Sequence, residues 1–141
     1  KSSLEELFTY GWEQFNTISG TLQAVTDYFY SKVKTDVTKG FYHLIPNPKN
    51  NSPMKRMNML LRWLVRDGKV DLGIWNFIPK SELLIPLDVH VARISRELNL
   101  LTRSQNDFQA VIELTNNLKK IAPNDPTKFD FALFGYDIDK K

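Results

Sequence analysis

Apolar residues recur at helical spacing along most of this chain, and residues that commonly cap helices precede several of these runs. No segment of any length alternates apolar and polar residues as a half-buried strand does. The pattern therefore predicts an all-α protein. Predicted helices cover residues 3–18, 22–33, 53–66, 104–121 and 126–135, another follows Asp88, and a shorter element is expected at 39–44.

Local signals indicate where these helices begin and end. Ser3 and Glu6 have the spacing of a capping box, and Gly20 is expected to separate the first two helices. The segment "IPNPKNNSP" is expected to be a loop, because its three prolines and three asparagines disfavour regular structure. Ser52 and Pro53 at its end are residue types preferred at the N-cap and first position of a helix.

The length of 141 residues, with 42% hydrophobic residues, suits one domain with a buried core. We expect a single helical domain over residues 1–141, with N-terminal helices in 1–44 and a hairpin and core in 45–141. No apolar run reaches the ~18 to 20 residues of a membrane span, so no membrane association is expected. The chain begins with Lys1 rather than Met, and a further helical part is expected to precede it.

Cysteine and histidine usage excludes several kinds of site. The chain has no cysteine, which excludes disulfides, thiolate zinc sites, cysteine-ligated iron–sulfur clusters and cysteine nucleophiles. Its two histidines, His43 and His90, make a histidine-based metal site unexpected. The absence of cysteine fits a reducing cytoplasm.

Positive charge is concentrated in one part of the sequence. The net charge is only +3, yet no acidic residue occurs between Val37 and Arg66. That window contains Lys39, Lys49, Lys55, Arg56, Arg62 and Arg66. Such a window is typical of a surface that binds nucleic acid, but more commonly of a solvated helix face.

The helix predicted at 53–66 separates apolar from basic residues. Lys55, Arg62 and Arg66 fall on one side of a helical wheel. The opposite arc contains Met57, Leu60, Leu61 and Leu64. This pattern predicts an apolar side in the core and a basic side that faces either water or phosphates. Lys55 lies near the helix start, where the dipole disfavours a cation, and a lysine held neutral is a nucleophile.

The segment "IPLDVHVARIS" contains a second group of polar residues. Asp88 is among the best N-cap residue types and is expected to start an amphipathic helix. His90, in the first turn, is expected to pack or hydrogen-bond locally. Arg93 is expected to form a salt bridge or to extend along the surface.

A lysine at a helix start after a loop, followed by "PLDVHVARIS", resembles the helix-hairpin-helix DNA glycosylase superfamily. The phrases "KRMNMLLRWLVR", "VDLGIWNFIP", "IPLDVHVARISREL" and "DPTKFDFALFG" are similar to a group of uncharacterised bacterial proteins related to that superfamily. The specific similarity covers residues 45–135, and the N-terminal helices are loosely similar. The resemblance implies a helical domain of the glycosylase type that lacks part of the N-terminal helical half.

The resemblance also implies a function, base-excision repair of a damaged base, such as an oxidised purine, in double-stranded DNA. Lys55 and Asp88 match the superfamily's catalytic lysine, which forms a Schiff base and confers AP-lyase activity, and its catalytic aspartate. The implied phosphate contacts are Lys49, Arg56, Arg62 and Arg66, and the accessory residues are His90, Arg93 and Trp63. Trp63 and Trp75 are expected to stack on bases or, more commonly, to pack in the core. No metal or cofactor is implied. A cytoplasmic location is expected, at the nucleoid if the protein binds DNA, and the sequence leaves the oligomeric state, monomeric or higher, open.

The chain departs from the superfamily pattern in two places. It reads "NSPMK" where the hairpin has Gly-x-Gly-x-Lys. Its lysine and aspartate are also 33 residues apart, a spacing longer than in many of these glycosylases but similar to that of the archaeal glycosylase of oxidised guanine. The alternative functions are a non-catalytic DNA- or RNA-binding module on the same scaffold and a protein-interaction domain.

Overall fold

The computed structural model describes residues 3–32, 45–68, 71–130, 132, 133 and 135. Over these residues the protein is all-helical, and the one β-contact is an isolated antiparallel bridge between Asp67 and Leu72. The α-helices are α1 (Leu4–Phe15), α2 (Ile18–Ser31), α3 (Lys55–Val65), α4 (Val89–Glu97) and α5 (Phe108–Ile121). Short 3-10 helices cover Pro48–Asn50, Lys80–Glu82 and Pro126–Phe129. The element expected at 39–44 lies outside the described residues, and the chain divides into two compact units, 1–52 and 53–141.

In the first unit, α1 and α2 pack against each other. Ser3 accepts a hydrogen bond from the Glu6 N–H, which confirms the predicted cap. The predicted break at Gly20 is wrong, because Gly20 lies inside α2 and donates its N–H to the capping hydroxyl of Thr17. The chain instead turns at Asn16, whose φ of 54° is left-handed. The buried apolar residues of this unit include Leu7, Phe8, Ile18, Leu22 and Val25.

The core of the second unit is built from α4, α5 and the extended segment before α4. Its buried members include Ile85, Leu87, Val91, Ile94, Leu101, Val111, Leu114 and Leu118. Asp88 caps α4 as predicted, whereas α5 begins at Phe108, later than predicted, because Asp107 rather than Ser104 is its N-cap. The predicted last helix starts as the 3-10 helix Pro126–Phe129. Packing against this core fixes the start of α4, and with it Asp88.

The helix α3 differs from the prediction in its start and its rotation. It begins at Lys55 behind Met54, which has a left-handed φ of 54°, so Ser52 is not its N-cap. Its buried residues are Asn58, Leu61 and Arg62, whereas Met57, Leu60 and Leu64 are half-buried. The side expected to face water or phosphates is therefore turned partly into the protein.

Candidate active site

Lys55 and Asp88 lie side by side at the starts of α3 and α4. The Nζ atom of Lys55 is 4.0 Å from Oδ2 of Asp88. The Lys55 side chain is 47% exposed, whereas that of Asp88 is 18% exposed. The fold thus brings together the two residues that the resemblance pairs, with the amine open to solvent and the carboxylate largely enclosed.

Asp88 is held in place by the helix that it caps. Its Oδ1 accepts a hydrogen bond of 2.8 Å from the Val91 N–H, so that Oδ2 is the oxygen beside Lys55. A carboxylate is stabilised at a helix N-terminus by the free N–H groups and by the helix dipole. One oxygen therefore anchors the side chain, and the other is available to a positive charge.

The backbone before Lys55 contains two left-handed residues. Asn51 has a φ of 61° and stands four residues before Lys55, where the Gly-x-Gly-x-Lys pattern has its first glycine. Asparagine tolerates this conformation better than most residues. Met54 adopts it too, with a φ of 54° and a side chain only 1% exposed. The position that the resemblance aligns with the first glycine is therefore left-handed in this protein, with asparagine in place of glycine.

The predicted exposed basic surface is wrong for Arg62 and Arg66. Arg62 is 1% exposed, and its guanidinium lies 3.4 Å from Asp130 and 3.7 Å from Asp71. Arg66 donates two hydrogen bonds of 2.8 Å to Asp125 and one of 2.7 Å to Asp71. The hydrogen bonds with Asp125, followed by the other carboxylate interactions, hold the pKa of Arg66 above its ordinary value. Carboxylates of the protein itself therefore occupy both guanidiniums, and phosphate contacts by these arginines are not supported.

These five residues, Arg62, Arg66, Asp71, Asp125 and Asp130, form what we call the aspartate–arginine cluster. Its least exposed acidic side chains are those of Asp71 and Asp130, 0% and 9% exposed. Burial raises the pKa of Asp130 to about 6, against the opposing attraction of Arg62. Asp130 is not among the residues predicted from the sequence. The available signal was "DPTKFDFALFG", a phrase that contains both Asp125 and Asp130.

The other predicted residues belong to both units. Lys49 is exposed in the 3-10 helix Pro48–Asn50 of the first unit, and Arg56 is exposed on α3 in the second. Trp63 is 47% exposed on α3. Trp75, by contrast, is buried, which matches the more common expectation for tryptophan.

His90 interacts locally, as expected, and its partner is Arg93. Nη2 of Arg93 lies 3.1 Å from Nδ1 of His90 within α4. His43 lies outside the described residues. In the described part of the chain, no group of three or more side chains could hold a metal ion, and no helix is long and apolar enough to cross a membrane.

Comparison with known proteins assigns the chain to a family. A family model described as "Protein of unknown function (DUF2400)" matches residues 1–139. This protein belongs to the DUF2400 family. Neither the curated proteins nor the solved structures contain a match. The family match spans both units and includes Lys55, Asp88 and the whole aspartate–arginine cluster.

Proposed function

We propose that this protein is a DNA base-excision repair glycosylase with AP-lyase activity, in which Lys55 is the nucleophile. The observation that carries the proposal is the pairing of a half-exposed lysine with an anchored carboxylate, 4.0 Å apart, at two helix starts. The resemblance of the same two positions to the helix-hairpin-helix glycosylases supports it. The substrate class is duplex DNA with a damaged base, and oxidised guanine is the first base to test.

The proposed reaction starts from a damaged nucleotide that has been extruded from the duplex. The neutral amine of Lys55 attacks C1′ of the sugar, and the base leaves with the electron pair of the glycosidic bond. The base takes up the proton that the attacking nitrogen loses. The nitrogen lone pair then opens the sugar ring by breaking the C1′–O4′ bond, O4′ takes a proton from water, and the adduct becomes an iminium ion, the Schiff base. Loss of a C2′ proton then expels the 3′-phosphate and cleaves the strand, and water releases the lysine.

Asp88 stabilises positive charge in this scheme. As the base leaves, the sugar becomes cationic, and an ionised carboxylate aimed at that position lowers the barrier. The Val91 N–H holds Oδ1, so that Oδ2 is already oriented before the reaction begins. An electrostatic group that is fixed in advance avoids reorganisation during the reaction.

The proposal is tested by trapping the Schiff base with borohydride, which reduces the iminium ion to a stable amine. The natural protein is incubated with duplexes that contain 8-oxoguanine, uracil or an abasic site. We expect a covalent adduct with at least one of these duplexes, abolished in Lys55→Ala. Lys120→Ala is the matched control, because Lys120 is an exposed lysine on α5 and should leave trapping unchanged.

The abasic duplex tests whether Lys55 can form a Schiff base independently of which damaged base the protein recognises, because an abasic site has no base to release. No adduct on any duplex, including the abasic one, would overturn the proposal. Salt-sensitive duplex binding without an adduct would instead favour the non-catalytic binding module.

A further inference from the structure

Asp130 is buried behind α3, directly after the 3-10 helix Pro126–Phe129. Its Oδ2 lies 3.4 Å from Nη1 of Arg62. Arg62 follows Lys55 by seven residues on α3, a spacing that places both residues on the same side of a helix. The contact with Asp130 therefore helps to set the rotation of α3, which decides where Lys55 lies.

Charged groups on three surrounding elements act on Asp130. Lys55 and Arg62 belong to α3, and both favour its ionised form. Asp71, from the segment after α3, and Asp88, at the start of α4, oppose that form by repulsion. Electrostatic interaction is mutual, so the charge of Asp130 acts in turn on Lys55 and Asp88.

We propose that Asp130 is a positioning residue of the Lys55–Asp88 pair, which it controls through Arg62 and through its own charge. An effect of Asp130 on catalysis rests on the proposed function, whereas its influence on the position and electrostatic environment of the Lys55–Asp88 pair does not.

The charge balance shows how the link would work. Three cations face four carboxyls here: Lys55, Arg62 and Arg66 against Asp71, Asp88, Asp125 and Asp130. When all seven groups are ionised, the cluster and the pair together have one excess negative charge. An ionised Asp130 therefore places one additional negative charge near the Lys55–Asp88 pair, and protonation of Asp130 removes that charge. Because the pKa of Asp130 is raised to about 6, this change falls close to neutral pH.

The experiment measures the electrostatic environment of Lys55 in the protein alone, with no DNA present. The lysines of the natural protein are reductively methylated with 13C-formaldehyde, and the Lys55 signal is assigned by its absence in Lys55→Arg. We expect the 13C shift of this signal to show an inflection near pH 6, and Asp130→Asn to abolish that inflection.

His90 is the competing source, because it lies two residues after Asp88 and imidazoles also titrate in this range. His90→Gln is therefore the matched control and should keep the inflection. An absent inflection in the wild type, one that persists in Asp130→Asn, or one that His90→Gln removes would overturn the proposal. The wild type and His90→Gln can overturn it even if Asp130→Asn does not fold.

The positioning role and the glycosylase function can each fail without the other. An inflection assigned to Asp130 without Schiff-base trapping would refute only the glycosylase function. Trapping without the inflection would refute only the positioning role.

Discussion

The burial of Asp130 has a consequence for stability at the scale of the single residue. The pKa of its carboxyl is 3.8 when unperturbed and about 6 in the folded protein. Between these values the folded protein keeps a proton that the unfolded chain loses, so the free energy of unfolding falls as pH rises. The two pKa values imply a loss on the order of 3 kcal/mol, complete above about pH 7.

Asp130→Asn removes this titration. We expect the unfolding free energy of the wild type, relative to that of the variant, to fall by about 2 kcal/mol between pH 4 and pH 7. Urea unfolding of both proteins at both pH values measures this quantity, and the comparison cancels groups that titrate in both. A stability difference that does not change with pH would contradict the expectation.

Arg62, Arg66 and Asp130 show what the sequence could not reveal about single residues. Helical periodicity places the two arginines on the basic side of α3, but their partners lie far along the chain. Asp125, for example, is 59 residues from Arg66. An acid-free window therefore indicates a basic segment, and only the fold decides whether carboxylates from elsewhere neutralise it.

At the scale of the helix, α4 and α5 offer a matched comparison. Asp88 and Asp107 cap them with the same geometry, each side chain accepting an N–H three residues ahead. We expect Asp88→Ala to lower the unfolding free energy by about 1 kcal/mol. Asp107→Ala should lower it by at least as much, because Asp107 also accepts two hydrogen bonds from Arg103. Asp88→Asn keeps the cap and most of the stability. Chemical denaturation measures all three variants.

The same variants separate capping from chemistry. Both Asp88 variants should lose borohydride trapping because both remove the negative charge beside Lys55, whereas Asp107→Ala should retain it. Trapping that Asp88→Ala loses but Asp88→Asn retains would mean that Asp88 acts through its helix cap alone.

The caps also show how far the sequence predicts the helices. Ser3 and Asp88 were identified correctly because a cap depends on residues only three positions apart. The end of α1 and the start of α3 were misplaced, since both are set by left-handed residues, Asn16 and Met54. Met54 is buried, and its conformation is supported by packing that local sequence does not encode.

At the scale of the whole molecule, positive charge is less available than the net charge distribution suggests. Two of the four predicted phosphate contacts, Arg62 and Arg66, are paired with carboxylates of the aspartate–arginine cluster. The two that remain exposed are Lys49 in the first unit and Arg56 in the second. The Lys55–Asp88 pairing, although predicted from the resemblance, could be tested only by the fold, because 33 residues separate the two positions.

This distribution predicts how the proposed binding to DNA should depend on salt. Each phosphate contact contributes about −0.9 to the slope of the logarithm of the binding constant against the logarithm of salt concentration. We expect Lys49→Ala and Arg56→Ala each to reduce the magnitude of that slope by about 1, measured by fluorescence anisotropy with a labelled duplex. Lys120→Ala removes the same charge from α5 and should leave the slope unchanged. If all three variants flatten the slope equally, net charge rather than these two positions governs binding, and neither Lys49 nor Arg56 is a specific phosphate contact.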